Sequence, residues 1–156
     1  MEKLSGGSRR LAAQLTTTAT FESLWKVLTD YDRLNLYIPN LLSSKKIYQK
    51  NNNVHLKQVG AQDFFGIKFS AEVTINLFEE KEHGLLQFSL IKGDFRKFEG
   101  SWRIQKTKDN AKNSLIYDLT VQGCQWMPIG MIERSLKKDL SENLIAVDKQ
   151  AKFSKI

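Results

Sequence analysis

The sequence predicts an α+β domain in which a curved antiparallel sheet closes around one long C-terminal helix. Three observations carry that prediction. Ile67, Phe69, Ala71, Val73, Ile75 and Leu77 alternate with Lys68, Ser70, Glu72, Thr74 and Asn76, which gives a strand one dry and one wet face. Ile132, Leu136, Leu140, Leu144, Val147 and Ala151 recur at helical spacing, opposite Glu133, Arg134, Lys137, Lys138, Asp139 and Glu142. Several strand patterns run together before that helix instead of alternating with helices, which points to α+β and away from a parallel sheet.

The elements follow in order. Residues 1–8 read as a disordered lead-in and 153–156 as a tail, leaving one domain over 9–152. Leu11, Ala13 and Leu15 alternate into Thr16-Thr17-Thr18, a first strand. Phe21, Leu24, Trp25 and Leu28 then form one side of a short helix, with Thr20 as its N-cap. Leu34–Ile38 forms a second short turn, which Pro39 ends by biasing Ile38 away from the helical region.

Six more strands are predicted. Lys45–Lys50 and Val54–Gly60 flank the turn signal Asn51-Asn52-Asn53. The pattern over 65–78 ends in the charged loop 79–84, and Leu86, Phe88 and Leu90 continue the dry face. Turns at Gly93-Asp94 and Asp109-Asn110 separate Phe98, Gly100, Trp102 and Ile104 from Leu115, Tyr117, Leu119 and Val121. Pro128 suits the first turn of the last helix, and Glu133 with Lys137 makes a favourable i,i+4 pair. A helix over 128–152 spans about 37 Å, and the longest strand about 40 Å. The helix therefore fits along the concave face of a bent sheet.

Composition narrows the function classes. One cysteine, Cys124, makes neither an internal disulfide nor a metal site. No apolar leader and no membrane-length apolar run is read, so the expected location is cytoplasmic. The net charge of +7, from 24 Lys+Arg against 17 Asp+Glu, favours anionic partners. Lys45, Lys46 and Lys50, and Lys137, Lys138, Lys149, Lys152 and Lys155, fall on wet faces while the aromatics fall on dry ones. That separation offers no stacking platform for nucleic acid and disfavours RNA or ribosome binding.

No catalytic set emerges. His83 sits in a solvated loop, and His55 points to the wet face of its strand. Neither has a serine or cysteine at nucleophile spacing, no phosphate loop is present, and no cofactor is implied.

The stretches Leu24-Trp25-Lys26-Val27-Leu28-Thr29-Asp30-Tyr31-Asp32 and Tyr37-Ile38-Pro39-Asn40-Leu41 are followed by Gly93-Asp94-Phe95-Arg96-Lys97-Phe98-Glu99-Gly100-Ser101-Trp102 and the helix opened by Pro128. In this order and spacing the chain resembles the polyketide cyclase/dehydrase and coenzyme Q-binding branch of the START-like superfamily, from about Arg9 to about Ala151. The resemblance implies the helix-grip fold, seven antiparallel strands around a C-terminal helix with a cavity between. It leaves function open, because such relatives include quinone-binding proteins, aromatase/cyclases, lipid carriers and a ribosome-associated toxin.

The ligand-binding candidates follow from the dry faces. Phe69, Val73, Phe88, Phe98, Trp102 and Tyr117 project by parity toward the helix, as core or as pocket wall. Gln58 shares the face of Val54 and Leu56, and Arg96 that of Phe98 and Trp102. Such polar groups either bond within the protein or hold a ligand's polar end. Arg96, at a hairpin end, suits a cavity mouth or a surface ion pair. Trp126, Met127 and Met131 form an apolar gate or fix the start of the helix, whose Ile132 and Leu136 face the sheet. Tyr37, in the matched stretch, completes the set.

The favoured function is binding or transport of a hydrophobic small molecule (a quinone, isoprenoid or other lipid) without catalysis, with peripheral contact to an anionic membrane. The alternatives are an aromatase/cyclase or dehydratase, with Arg96 or Tyr117 orienting substrate or moving a proton, and a partner-binding protein of the ribosome or a membrane complex.

Overall fold

The computed structural model describes residues 1–153. The strands are β1 (Glu2–Lys3), β2 (Arg9–Thr17), β3 (Leu41–Lys50), β4 (Asn53–Phe64), β5 (Ile67–Glu80), β6 (Leu85–Gly93), β7 (Phe95–Lys106) and β8 (Asn113–Gly123). The helices are α1 (Phe21–Leu28) and α2 (Ile129–Phe153), with a 3-10 turn at Tyr31–Leu36 after α1. All eight strands form one antiparallel sheet in the order β1-β2-β8-β7-β6-β5-β4-β3.

Among the described residues the sheet has eight strands where seven are expected. The additional one comes from the supposedly disordered lead-in. Glu2 and Lys3 pair with Arg10 and Arg9, a turn at Ser5–Gly7 reverses the chain, and Ser8 is buried. The Gln122 amide donates to the Gly6 carbonyl at 2.7 Å and ties the turn to β8. At the other end α2 continues through Phe153, the first residue of the expected tail. The rest of that tail, including Lys155, lies outside the described residues.

Local chemistry explains the element ends. The Thr20 hydroxyl accepts from the Ser23 amide at 3.1 Å and caps α1. Thr20→Ala should cost about 1 kcal/mol, read as a lower urea midpoint at unchanged slope; an unchanged midpoint would show that the cap adds nothing. α1 buries Leu24, Trp25, Val27 and Leu28, a shorter and denser version of the predicted stripe. Pro128 stands just before α2, and its carbonyl accepts from the Met131 and Ile132 amides at 3.0 and 3.2 Å. Phe65 and Gly66, both at positive φ (50° and 79°), turn β4 into β5, as a two-residue hairpin requires. Phe65 therefore occupies a hairpin tip where the pattern over 65–78 places it in a strand.

The two periodicities meet in one core. Val54 and Leu56 of β4, Val73, Ile75 and Leu77 of β5, Leu86 and Phe88 of β6, and Leu115, Tyr117, Leu119 and Val121 of β8 face α2. From the helix come Met131, Ile132, Leu136, Leu140, Leu144, Val147 and Ala151. A buried leucine such as Leu140 is worth about 1.5–3 kcal/mol over leaving it in water. α2 packs mainly on β2, β8 and α1. Thr17 donates to Asp148, and Arg9 pairs with Glu133 at 2.9 Å. Glu133 thus takes its short ion pair from β2, where the spacing predicts Lys137. Anchored on that half of the sheet, α2 stands off from β4–β6, and the space between becomes the site.

A candidate ligand cavity between the sheet and α2

A cavity of about 250 Å³ lies under the sheet's curve, between β4–β8 and α2. Its wall is mostly apolar. Leu56, Val73, Ile75, Leu86 and Leu119 floor it, and Met127, Met131, Ile132, Leu136, Leu140 and Val147 roof it. Aromatic rings form the side nearest β7 and β8. Trp102 stacks on Tyr117 with ring centres 3.9 Å apart and planes 9° off parallel. Phe88 leans on Phe98 at 5.8 Å and on Tyr117 at 6.3 Å. Tilted rings at the two Phe88 distances are favourable, so this part of the wall is held by its own contacts.

At one end the cavity approaches solvent. Phe69 stacks on Trp126 at 6.2 Å and 11°, and Trp126 is 50% exposed. Ser70 and Asn40, which also line the cavity, are exposed at this end. The mouth is thus framed by the start of β5, the loop before β3 and the loop before α2.

Polar groups occupy few positions. Gln58 donates to the Ser44 hydroxyl at 3.2 Å, and Ser44 donates to the Tyr31 carbonyl at 2.6 Å. Gln62 donates to Asp139. Asp139 and Asn143 stand one turn apart on α2 and line the cavity, each with one buried side-chain oxygen that has no hydrogen-bond partner among the described residues. Burial, reinforced by the nearby Glu142, pushes the Asp139 carboxyl up to about 6, while the Asn40 and Gln62 amides and Lys138 pull the other way. Burial likewise raises the Tyr117 hydroxyl well above its usual range, with Asp139 adding to the shift and Asn143 opposing it. Tyr117 stays a neutral phenol at any physiological pH.

The Asp139 shift has a defined sign. The folded carboxyl holds its proton up to about pH 6, and the unfolded one releases it near pH 4. The native state therefore binds more protons between these values, and Asp139 makes stability fall as pH rises from about 4 to about 6. Asp139→Asn should stabilise the protein at pH 7.5 by about 1 kcal/mol, a figure discounted for the group's partial exposure, and should give no gain at pH 4. Urea unfolding at both pH values checks this, and an equal effect at both would remove the titration account.

Of the sequence-predicted residues, Gln58, Phe69, Val73, Phe88, Phe98, Trp102, Tyr117, Trp126, Met127, Met131, Ile132 and Leu136 all line this cavity. Two do not. Arg96 is exposed because β7 bulges between Phe95 and Lys97. The bulge breaks the parity that puts Arg96 beside Phe98, and Phe95 takes the inward place. Tyr37 lies outside the cavity, where its hydroxyl donates to the Val27 carbonyl at 2.7 Å and fixes the segment after α1. Asp139, assigned by spacing to the solvated face of α2, is instead on the cavity wall, and Asn143 with it. The available signal is their place in the stripe: Asp139 follows Leu136 by three, and Asn143 follows Asp139 by four.

This architecture recurs in known structures. The chain is similar to a STAR-related lipid transfer protein from Xanthomonas axonopodis (12% identity, TM-score 0.80, covering 96% of this chain and 89% of that one). It is similar to the Zhui aromatase/cyclase from Streptomyces sp. R1128 (15% identity, TM-score 0.78, 93% and 94%) and to TTHA0849 from Thermus thermophilus (17% identity, TM-score 0.77, 95% and 100%). At these identities the likeness is one of fold alone, the helix-grip arrangement of a curved sheet around a long C-terminal helix. No curated protein matches the chain by sequence. The family described as polyketide cyclase / dehydrase and lipid transport matches residues 17–148, which hold α1, seven of the eight strands in whole or part and most of α2, and the chain belongs to that family.

Proposed function

We propose that the protein binds and carries a hydrophobic small molecule in the cavity between the sheet and α2, without transforming it. The observation that carries this reading is the cavity itself: about 250 Å³ of space in an apolar and aromatic wall, with a mouth at Trp126. Apolar cavities of even about 150 Å³ stay dry and take up apolar molecules. Transferring an apolar ligand there removes its surface from water at about 25 cal/mol per Å². A lipid transfer protein and an aromatase/cyclase of like fold support a hydrophobic ligand for this chain. A quinone, an isoprenoid or another lipid fits this description.

A second reading, a cyclase or dehydratase, has one observation in its favour. Asp139, pushed up to about 6, is a carboxyl near the pH of the cell inside an apolar cavity, which is where a general acid or base belongs. Arg96, exposed and outside the cavity lining, gives this reading no support. Native mass spectrometry of gently purified protein, with an organic extract run alongside, separates the two. A reproducible bound mass that is released unchanged supports carriage. Conversion of an offered compound by loss of water supports the enzyme. A protein that stays apo when quinones and lipids are offered removes the carrier reading.

The carrier reading extends to where the ligand is exchanged. Phe65 is 82% exposed at the β4–β5 hairpin tip, and Ile67, Trp126 and Ile129 are exposed nearby. Phe64 reaches the first turn of α2, so hairpin and helix start share one end of the molecule. Lys68, Arg134 and Lys138 are exposed on the same two elements. An apolar rim with basic neighbours fits the surface of an anionic bilayer. No helix among the described residues is long and apolar enough to cross a membrane. Binding to phosphatidylserine vesicles should weaken with salt and fall on Phe65→Ser, and equal binding to neutral vesicles would remove the electrostatic part.

A further inference from the structure

We propose that the cavity holds its ligand by a hydrogen-bond-donating head, a hydroxyl or an ammonium group, received by Asp139 and Asn143 of α2, and that it rejects carboxylates and phosphates. This rests on the carrier reading of the same cavity and narrows what is carried to a lipid with a donating head, such as an isoprenoid alcohol or amine, in place of a quinone.

Among the described residues Asp139 Oδ1 and Asn143 Oδ1 are buried acceptors without a hydrogen-bond partner. They lie four residues apart on α2, so their side chains are neighbours on one face. The other Asp139 oxygen is already taken by Gln62, and the Gln58 amide is turned to Ser44. Among the described residues that line the cavity there is no lysine, arginine or histidine. An anionic head would therefore find no counter-charge and would face a carboxylate, at a cost that low polarity makes large. A head with only acceptors, such as a quinone carbonyl or an ether, could take the Tyr117 hydroxyl but would leave both oxygens unpaired, and buried acceptors are costly to leave so. A hydroxyl or ammonium satisfies them while its chain lies along the apolar wall. A site built to bond a donor discriminates strongly against the analogue that lacks it.

The test uses the wild-type chain at pH 7.5 with the neutral dye prodan as the displaced probe. Four competitors of nearly equal length are compared: decanol, decylamine, methyl nonyl ether and decanoate. The proposal expects decanol or decylamine to displace prodan at least tenfold better than the ether and decanoate, and the better of the two identifies the head. The variants Asp139→Leu and Asn143→Leu should still bind prodan and should lose that preference. Equal displacement by all four, or a preference for the ether or decanoate, overturns the proposal and leaves the carrier reading standing. Failure of the wild-type protein to bind prodan and, by native mass spectrometry, every one of the four competitors overturns both. If a leucine variant fails to fold, the wild-type comparison alone still decides.

Discussion

Gly100→Ala should destabilise the protein by about 3 kcal/mol or more, although both residues are small and the position lies inside a strand. A Cβ built at Gly100 would stand 1.9 Å from the backbone oxygen of Asp118 and 3.0 Å from the Phe88 ring. Gly100 pairs with Phe88 on one side and Leu119 on the other, so it sits in the middle of the sheet where β6, β7 and β8 curl around the helix. Backbone on a neighbouring strand cannot swing aside as a side-chain tip can. Overpacking in a filled core costs about 1–3 kcal/mol, and a clash with backbone belongs at or above the top of that range. For a chain of this size the melting temperature should drop by about 6–12 °C. The damage should extend to the site, because Phe88 carries the aromatic wall against Phe98 and Tyr117. Thermal unfolding by circular dichroism checks the first part. A variant within about 1 kcal/mol of wild type would mean that the sheet is less tightly bent at this point than described.

The same sheet shows what a sequence reveals and what it hides. β5 was legible because its inward residues, Phe69 to Leu77, alternate without interruption through the part of the strand that faces α2. α2 was legible because all of Ile132, Leu136, Leu140, Leu144, Val147 and Ala151 are buried as the spacing requires. Parity failed at Arg96, where one bulged residue reverses the facing of its neighbour; nothing in Phe95-Arg96-Lys97 marks the extra residue. Tyr37 belongs to a short irregular segment with no period to read, and its role depends on a hydroxyl reaching back to Val27. The lead-in was missed because its order comes from pairing with β2 and from Gln122, contacts more than a hundred residues apart for the latter. Asp139 was missed by residue type, since a charged side chain at the edge of a stripe reads as solvated until a cavity is found beneath it. The cavity itself was the least legible feature. The same apolar residues make a filled core or a pocket, and the difference lies in where α2 rests on the sheet.

Filling that space should separate the two. Ala71 lines the cavity on β5, opposite Gly60, with its side chain toward α2. Ala71→Phe should place a ring in the void. If the void is a ligand site, the ring takes the ligand's place and binding should fall by at least tenfold. Stability should hold or rise by up to about 1 kcal/mol, because new apolar area leaves water without displacing core. A loss of binding with retained stability is what separates a filled site from a broken fold. The most direct measurement of the central claim is therefore a prodan titration of wild type and Ala71→Phe, with thermal unfolding of both. Saturable binding by wild type, at least tenfold weaker binding by the variant and an unreduced melting temperature are the predicted results. Equal affinity in the two proteins would show that the dye binds elsewhere and that the space beneath the sheet is not the ligand site.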